Sequence, residues 1–253
     1  MEIKYAEWNL NARGGYGYGI PSFIPDYIKD SDIFTLVEFS QGEGWEAFKA
    51  QMIDFDLYCS PYSTSGYNQV CIGIRKTLGY KLLMVKTMDI CDIKRPEFLH
   101  VGIEIDKTIL NIVGIRIKTQ RGVEIEEVQR RFLKEHLDTI SDSILCLGDF
   151  NVTSKRLYKE FESLNVYGPR VTNGYYSFVF EKGENPKKGL DWVISKNISK
   201  VYNGYADKKN SPYATYDWSF VCPKNGYINK TEHDYLNLKG LPDHAILKGM
   251  IKI

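Results

Sequence analysis

The chain has 253 residues, of which 43% are hydrophobic and 26% charged, a balance typical of one globular domain over residues 1–253. Its formal net charge is only +1, so it lacks the overall basic character of many nucleic-acid-binding domains, and such binding requires a local basic patch. The five cysteines are scattered without CxxC spacing, which indicates reduced thiols in a cytoplasmic protein rather than a disulfide frame or a zinc site. The N-terminal residues lack the apolar core of a signal peptide and no apolar run approaches membrane-spanning length, so we expect no membrane insertion.

The first predicted strands end in polar residues. Residues 3–9 alternate in polarity and predict a strand that ends in two amides, Asn9 and Asn11. The glycine-rich loop that follows has neither GxGxxG nor GK[ST], so we assign it no nucleotide-binding role. Residues 32–39 predict an apolar strand that ends at Glu38, a carboxylate that is expensive to bury unless a cation meets it. A salt bridge to a lysine or arginine at the sheet edge is the alternative to a functional cation.

The middle of the chain predicts a hairpin and one long helix. Residues 98–105 and 109–117 predict two strands joined by a turn at 106–108. Residues 124–141 predict an amphipathic helix, and we expect His136 on it to face solvent. The predicted inner face of this helix consists of Val128, Phe132 and Leu137.

A fully apolar run then leads directly into polar residues. Residues 144–147 predict a strand buried on both faces, and Gly148 permits a sharp turn where that strand ends. Asp149 and Asn151 alternate along the chain, so both side chains can face one cleft. A carboxylate and an amide in such a cleft suit a metal-bound phosphate, whereas an ordinary Asx turn is the alternative.

The last third of the chain contributes two more polar strand ends. Residues 190–194 predict a strand that includes one carboxylate, Asp191, and the sequence Asp243-His244 precedes the last predicted strand. Standing alone, His244 would be assigned a structural role; beside the other polar strand ends, catalysis is favoured. Hairpins dominate both halves of the chain and helices fall between some strands, which predicts two mainly antiparallel sheets packed together with helices outside.

These polar strand ends, in this order, resemble the endonuclease/exonuclease/phosphatase superfamily, which includes deoxyribonuclease I and the exonuclease III-like abasic-site endonucleases. The matching segments span nearly the whole chain; the GDFN and terminal DH motifs are fairly specific for the superfamily and uninformative about the subfamily. The resemblance implies an α/β four-layered sandwich, with two mixed, mainly antiparallel sheets and helices outside, and divalent-metal hydrolysis of a phosphate ester. The segments are Trp8-Asn9-Leu10-Asn11, Leu36-Val37-Glu38, Gly148-Asp149-Phe150-Asn151, Gly189-Leu190-Asp191-Trp192-Val193 and Pro242-Asp243-His244.

The resemblance also implies a metal site. Glu38 would be the principal Mg²⁺ ligand, Asn9 would lie beside the ion, and Asp243 would complete the metal and hydrogen-bond network. Hard oxygen ligands suit magnesium, and Mn²⁺ is the alternative ion.

The same resemblance implies catalytic roles for four residues. Asp149 would orient or deprotonate the attacking water, and Asn151 would donate a hydrogen bond to the phosphate. Asp191 would pair with His244, and a neighbouring carboxylate raises the pKa of a histidine above about 6.5. A protonated His244 could then stabilise the charge that develops on the phosphate.

The sequence departs from the superfamily pattern at three positions. Val37 precedes Glu38 where relatives have glutamine, and Asn11 stands where some relatives have aspartate. Arg116 ends its predicted strand where relatives place histidine or tyrosine. Arginine cannot act as a general acid, but it can clamp a phosphate bidentately, and a structural salt bridge to Asp149 or Glu38 is the alternative. We assign substrate contacts to Asn11, Arg95 and Asn68, and a surface salt bridge is the alternative for Arg95.

The leading hypothesis is therefore a Mg²⁺-dependent phosphodiesterase acting on nucleic acid, monomeric and cytoplasmic. Basic and aromatic loop residues support it, because aromatic rings stack on bases and basic groups track phosphates. A phosphatase or lipid phosphodiesterase acting on a small phosphorylated substrate is one alternative, and a catalytically silent binding protein that kept the fold is another. The loop residues are Arg13, Lys187, Lys188 and the stretch 213–218.

Overall fold

A computed structural model of the chain describes residues 1–15, 18–61, 68–89, 91–119, 122–167, 178–179, 187–202, 215–217, 220 and 241–253. No helix within these ranges has an apolar stretch long enough to cross a bilayer. The helices are α1 (Ile24–Ile28), α2 (Trp45–Gln51), α3 (Val123–Asp138) and α4 (Ser154–Glu160). The strands are β1 (Glu2–Arg13), β2 (Ile33–Phe39), β3 (Phe55–Cys59), β4 (Gln69–Arg75), β5 (Lys81–Thr87), β6 (Glu97–Ile105), β7 (Thr108–Arg116), β8 (Ser143–Asp149), β9 (Asn165–Tyr167), β10 (Phe178–Val179), β11 (Lys187–Lys188), β12 (Asp191–Lys196), β13 (Lys200–Tyr202), β14 (Thr215–Asp217) and β15 (Ile246–Lys252).

Two mixed sheets form the body of the described structure. Sheet I has the strand order β13-β15-β1-β2-β4-β3, with β14 also paired to β15, and sheet II has the order β5-β6-β7-β8-β12-β9. The pairs β1–β2 and β7–β8 are parallel, whereas the other described pairings in both sheets are antiparallel. The prediction of two mixed, mainly antiparallel sheets is confirmed.

Three hydrophobic clusters place the sheets and helices in four layers. One cluster lies between the two sheets and joins residues such as Ile3 of β1 to Leu145 of β8. A second packs the outer face of sheet I against α1 and α2, and a third packs the outer face of sheet II against α3 and α4. The strands between the clusters are buried on both faces, which is why their sequences are nearly continuous apolar runs.

Helix α3 packs on sheet II through a face that differs from the predicted one. Leu137 is fully buried as expected, but Val128 and Phe132 are only half-buried, so the prediction was wrong at those two positions. Two polar residues, Gln129 and Arg130, are buried instead. The side chain of Gln129 accepts a hydrogen bond from a backbone N–H just beyond β7 (2.8 Å), and Arg130 donates to a glutamate of α4 (2.6 Å). Because hydrogen bonds permit polar side chains to be buried, the apolar pattern alone misplaced this face.

Two glycines permit close contacts between strands, one within sheet II and one between the two sheets. A Cβ atom on Gly148 would lie 1.9 Å from the carbonyl oxygen of Ile115 on the neighbouring strand, so β8 needs a glycine there for its contact with β7. A Cβ atom on Gly114 would lie 2.6 Å from Val70 of the opposite sheet. Gly148 therefore does not end β8, as the sequence had suggested, because the strand continues to Asp149.

Candidate active site

The site lies where the parallel strand pairs of both sheets end. The pair β1–β2 ends near Asn9 and Glu38, and the pair β7–β8 ends at Arg116 and Asp149. Strand β12 runs antiparallel to β8 and begins with Asp191 directly opposite Asp149. A hydrogen bond from Asn9 to Asp149 joins the two sheets at this rim, so the ends of strands far apart in sequence surround one small volume.

Asp149 lies at the centre of a hydrogen-bond network. One of its carboxylate oxygens accepts bonds from the side-chain amides of Asn9 (3.1 Å) and Asn151 (2.9 Å). The other oxygen accepts the backbone N–H of Asn151 (2.9 Å), which is an Asx turn. Asn151 also donates to the carbonyl of Ile117 (2.7 Å), so its amide is held by two elements of sheet II. The Asx turn, one of the two alternatives from sequence, is present, and the side chains of Asp149 and Asn151 lie together.

Asp191 and His244 form a buried pair next to this network. Nδ1 of His244 lies 2.9 Å from an oxygen of Asp191, and both side chains are almost completely buried. Burial alone would lower the pKa of His244, but the charge and hydrogen bond of Asp191, together with the charges of Asp149 and Asp243, raise it to about 10. The imidazole therefore carries a positive charge at neutral pH. Its backbone is held by Trp8, whose indole N–H donates to the carbonyl of His244 (2.9 Å).

Arg116 forms ion pairs with two carboxylates at the same rim. It contacts Glu38 of β2 directly, and its Nη1 lies 3.4 Å from an oxygen of Glu97, the residue opposite it on β6. Burial opposes the charge of Arg116, but Glu38, Glu97 and Asp149 together raise its pKa above the ordinary value. The salt bridge to Glu38, one of the alternatives from sequence, is present; the partner Glu97 was not predicted.

Burial also raises the pKa of two carboxyl groups of the site to near neutral pH. Burial raises the pKa of Asp149 to about 7, with Asp191 adding to the effect and His244 and Arg116 opposing it. Burial likewise raises the pKa of Glu97 to about 7, although Arg116 opposes the shift. Two acids at the rim therefore titrate near neutral pH, the range in which a general base is most effective.

Glu7 is a further carboxyl group that sequence reasoning missed. It is fully buried on β1, and neither of its oxygens has a hydrogen-bond partner among the described residues. Burial, and then the charge of Asp191, raise its pKa well above the ordinary value. Its position two residues before Asn9 on the same face of an alternating strand was the available signal, since both side chains then point between the sheets.

Arg13 was expected in a flexible loop, but it ends β1 and is buried at the rim. Its Nη2 donates to the carbonyl of Leu241 (2.6 Å), and its guanidinium lies over the ring of Tyr18, 4.8 Å from the centroid. Burial lowers its pKa, an effect that the charge of Asp243 opposes most strongly. Strand β1 reaches Arg13 because Asn11 and Ala12 adopt positive φ angles of 49° and 58° and shift the register, which strand periodicity does not predict.

Not all of the remaining residues predicted from sequence lie near the cluster at the rim. Asn68 precedes β4 beside the end of β2, and its buried Oδ1 has no hydrogen-bond partner among the described residues. Asn11 contributes its backbone N–H to the side chain of Asn9 (2.9 Å). Arg95 is not brought to the cluster: it stacks on Phe132 of α3, 3.4 Å from the ring centroid, and pairs with Asp92. The side chains of Lys187 and Lys188, and residues 213, 214 and 218 of the stretch 213–218, lie outside the described residues.

The cluster contains groups that can ligate a metal. Asp149, Asp191 and His244 each offer a ligand atom, and these three atoms lie within 4.8 Å of one another. Glu38 offers a third carboxylate, 13% exposed, which already contacts the cationic Arg116. Buried acids, a charged histidine and two oriented amides at one rim constitute a polar centre suited to an anionic substrate and a divalent cation.

Two packed mixed sheets with helices on their outer faces form a deoxyribonuclease I-like fold, and solved structures of endonuclease/exonuclease/phosphatase proteins show the same fold. The whole chain aligns with 99% of the endonuclease/exonuclease/phosphatase from Bacteroides vulgatus, at a TM-score of 0.70 and 13% identity. It also aligns over its whole length with 99% of TDP2 from D. rerio, complexed with single strand DNA product (TM-score 0.66, 11% identity). An AP endonuclease from Archaeoglobus fulgidus is matched over 99% of this chain and 100% of that one (TM-score 0.61, 14% identity).

Sequence comparison adds no closer relative. No protein-family model matches the chain, and a search of curated proteins finds no match. At identities of 11–14% the structural likeness shows the fold, and the chemistry has to be argued from the residues at the rim.

Proposed function

We propose that the protein is a metal-dependent phosphoesterase that hydrolyses phosphodiester bonds of nucleic acid. The observation that carries the proposal is the convergence of Asp149, Asp191 and His244 within 4.8 Å at the rim. The Asn9 and Asn151 amides bond to Asp149 in the same cluster. Phosphoryl transfer needs a water-activating group and stabilisation of developing negative charge, and this cluster offers both.

The residues present fit a divalent cation of the magnesium type. Glu38, with Asn9 and Asp243, would hold the ion through hard oxygen ligands. The fit rests on the donor set, because all three residues offer oxygen ligands and the carboxylate of Glu38 is 13% exposed at the rim. We favour this position over the Asp149–Asp191–His244 group, since His244 is positively charged beside Asp191 and a protonated imidazole cannot ligate a metal. When bound, the metal would polarise a phosphoryl oxygen and neutralise its charge.

The other residues would bind and orient the reactants. Asp149 is held by two amides and has a pKa of about 7, so it would orient the attacking water and accept its proton. The charged His244, fixed by Asp191, would stabilise negative charge on the phosphoryl oxygens. Arg116 would exchange one of its two carboxylate partners for a phosphoryl oxygen.

Arg116 has a direct test in its lysine variant. Arg116→Lys keeps the charge and loses the planar fork, so we expect about a 10²–10³-fold fall in turnover, typical for loss of one transition-state donor. Turnover within a few-fold of the wild type, with unchanged folding, would assign Arg116 to the structural ion pairs alone.

Nucleic acid is the substrate class that the neighbouring proteins favour. The D. rerio TDP2 structure contains a single strand DNA product, and the Archaeoglobus fulgidus protein is an AP endonuclease. In this chain, Arg13 lies at the rim against the ring of Tyr18, which is 46% exposed. An exposed ring beside an arginine is suited to stacking on a base next to a phosphate.

The proposal is tested by a cleavage screen with and without Mg²⁺, using plasmid DNA, an abasic duplex, an aryl phosphodiester and an aryl phosphomonoester. We expect Mg²⁺-dependent cleavage of a nucleic acid or the diester, lost in His244→Asn and retained in the exposed control Glu43→Gln. Turnover of the monoester alone would replace the proposal with a phosphatase.

A catalytically silent binding protein is the second candidate, and one observation favours it. Arg116 contacts Glu38, so the residue assigned to the metal is already neutralised within the protein. Isothermal titration with Mg²⁺ separates the candidates: no binding by the folded protein, together with no turnover in the screen, would establish the silent protein.

A further inference from the structure

Two cysteines face each other across the outermost strand pair of sheet I. Strand β3 forms the edge of this sheet and pairs antiparallel with β4, and Cys59 lies directly opposite Cys71 in the register. Both side chains point to the helix-covered face, where Cys71 belongs to the core cluster and Cys59 packs against it. This pairing is independent of the proposed phosphoesterase activity.

The hydrogen-bond pattern fixes the type of this cross-strand pair. Just beyond β3, the N–H of Ser60 donates to the carbonyl of Val70 (2.8 Å), and at the other end the N–H of Lys76 donates to Asp54 (2.9 Å). The bonded pair Ser60–Val70 lies one position from the cysteine pair, and the bonded pair Asp54–Lys76 lies five positions from it. Because bonded and non-bonded pairs alternate along an antiparallel ladder, the cysteines occupy a non-hydrogen-bonded pair.

Non-hydrogen-bonded pairs bring opposite residues close enough for a disulfide. Their Cα atoms are about 4.5 Å apart, and disulfides span Cα separations of about 4.4–6.8 Å. Both cysteines are reduced in this structure. Because the Cα separation of such a pair already suits a disulfide, its formation would need little backbone movement.

The two thiols differ in reactivity. Cys59 is half-buried, and its pKa is lowered by the hydrogen bond from Cys71, with Gln41 and Lys49 adding to the effect against burial. Cys71 is fully buried, and burial raises its pKa well above the ordinary value. Cys59 is therefore the thiol that meets a reagent first, and Cys71 is placed to displace that reagent.

We propose that Cys59 and Cys71 are a redox-responsive dithiol that closes to an intramolecular disulfide on exposure to a low-molecular-weight disulfide such as oxidised glutathione. The Cys59 thiolate attacks one sulfur of the reagent, whose S–S bond breaks and releases one thiol. The Cys71 sulfur, on losing its proton, attacks Cys59 of the mixed disulfide and releases the second thiol. The protein loses two protons and two electrons, and the reagent takes up both and is reduced to two thiols.

One tryptic peptide reports the reaction. Trypsin cleaves after Lys49 and after Arg75, and the peptide between these sites contains both cysteines and no internal lysine or arginine. The folded protein is incubated with oxidised glutathione, alkylated and digested without reduction. We expect peptide 50–75 to lose two hydrogens and to resist alkylation, and exposed Cys91 to take up glutathione as evidence that the reagent is active.

Three variants make the experiment specific. In Cys71→Ser the reaction is expected to stop at a glutathione mixed disulfide on Cys59, and in Cys59→Ser folded Cys71 is expected to remain unmodified. Cys146→Ser is the matched control, because this buried cysteine lies in sheet II and its loss should leave the closure unchanged. Two alkyl groups on peptide 50–75 of the wild type, or closure only when urea is present, would overturn the proposal.

Discussion

Three polar residues at the rim have a left-handed backbone. Asn11, Glu38 and Asn151 have φ angles of 49°, 52° and 49°. Asparagine tolerates this conformation, but for glutamate it costs roughly 1 kcal/mol, and such strain is usually retained where it positions a functional group. At Glu38 it breaks the register between β2 and β4, so the carboxylate leaves the sheet and turns into the cluster.

Glu38→Gln tests whether this carboxylate holds the metal. The change keeps the size and removes the charge, so we expect Mg²⁺-stimulated turnover to fall by about 10²-fold or more, as expected when a metal loses its anionic ligand. The measurement is turnover against Mg²⁺ concentration for the wild type, Glu38→Gln and the exposed control Glu43→Gln. Wild-type Mg²⁺ activation in Glu38→Gln would show that the metal is held elsewhere.

Arg116 has a second measurable role in stability. It neutralises Glu38 and Glu97, which are 13% and 3% exposed. Removing one partner of a buried ion pair leaves uncompensated charge, so Arg116→Gln should lower the free energy of unfolding by about 3 kcal/mol. Urea unfolding at pH 8, above the pKa of about 7 for Glu97, is the measurement.

The double variant Arg116→Gln with Glu97→Gln provides the control. Loss of Arg116 leaves two carboxylates unpaired, and the double variant removes one of them. Part of the lost stability should therefore return. A double variant as unstable as the sum of the two single variants would indicate that Arg116 and Glu97 do not interact.

At the scale of elements, a histidine pair joins β6 to α3. His100 Nε2 lies 2.9 Å from the side-chain oxygen of Asn111, and His100 Nδ1 lies 3.1 Å from Nε2 of His136. Since that oxygen only accepts, His100 donates from Nε2 and accepts at Nδ1 from His136. The arrangement needs a neutral His100, because a protonated Nδ1 could not accept a hydrogen bond. His136 is half-buried, so the prediction from sequence that it faces solvent was wrong.

This pair predicts a loss of stability in acid. Burial lowers the pKa of His100, and burial with the charge of His100 lowers that of His136 to about 4. At pH values above about 6.5 both rings are neutral in the folded and the unfolded chain, so the pair adds no pH dependence. Below that pH the unfolded chain binds protons that the folded one does not, so stability falls between about pH 6.5 and 4.

The variant His136→Gln isolates this effect. We expect its free energy of unfolding to fall less between pH 7 and 5 than that of the wild type, because one titrating ring is gone. Urea unfolding at each pH measures this difference. Equal pH dependence in both proteins would mean that His136 titrates normally in the folded state.

The hairpin β6–β7 shows where sequence reasoning reaches its limit among elements. Both strands were predicted, but the turn was taken as three residues at 106–108, which would place Phe98 opposite Arg116. The actual turn consists of Asp106 and Lys107, with φ angles of 47° and 67°, and it pairs Glu97 with Arg116. Two successive positive φ angles are typical of a type I′ turn, which is seldom built without glycine. One unusual turn therefore concealed a residue of the site.

At the scale of the whole molecule, each sheet contributes part of the candidate site. Sheet I supplies Asn9 and Glu38, and sheet II supplies Arg116, Asp149 and Asp191. Apolar runs and strand ends predicted the two sheets and most rim residues, because strand ends are local features. The contacts between sheets were not predictable in the same way, because Asn9 and Asp149 are 140 positions apart and only packing brings them together. Glu7 was missed for this reason, since its raised pKa depends, after burial, on charges from the opposite sheet.

Because the proposed metal ligands lie at the junction of the sheets, metal binding should stabilise the whole fold. Glu38 and Asn9 end strands of sheet I, and Asn9 bonds to Asp149 of sheet II, so a bound ion requires the folded arrangement of both. A ligand that binds only the folded chain adds about 2.7 kcal/mol at 100 times its Kd. For a chain of 253 residues this corresponds to a rise in Tm of roughly 5–10 °C. We expect this rise for the wild type with increasing MgCl₂, at ionic strength held constant with NaCl, and its loss in Glu38→Gln. An equal rise in both proteins would place the ion away from Glu38, and no rise in either would remove the metal from the proposed function.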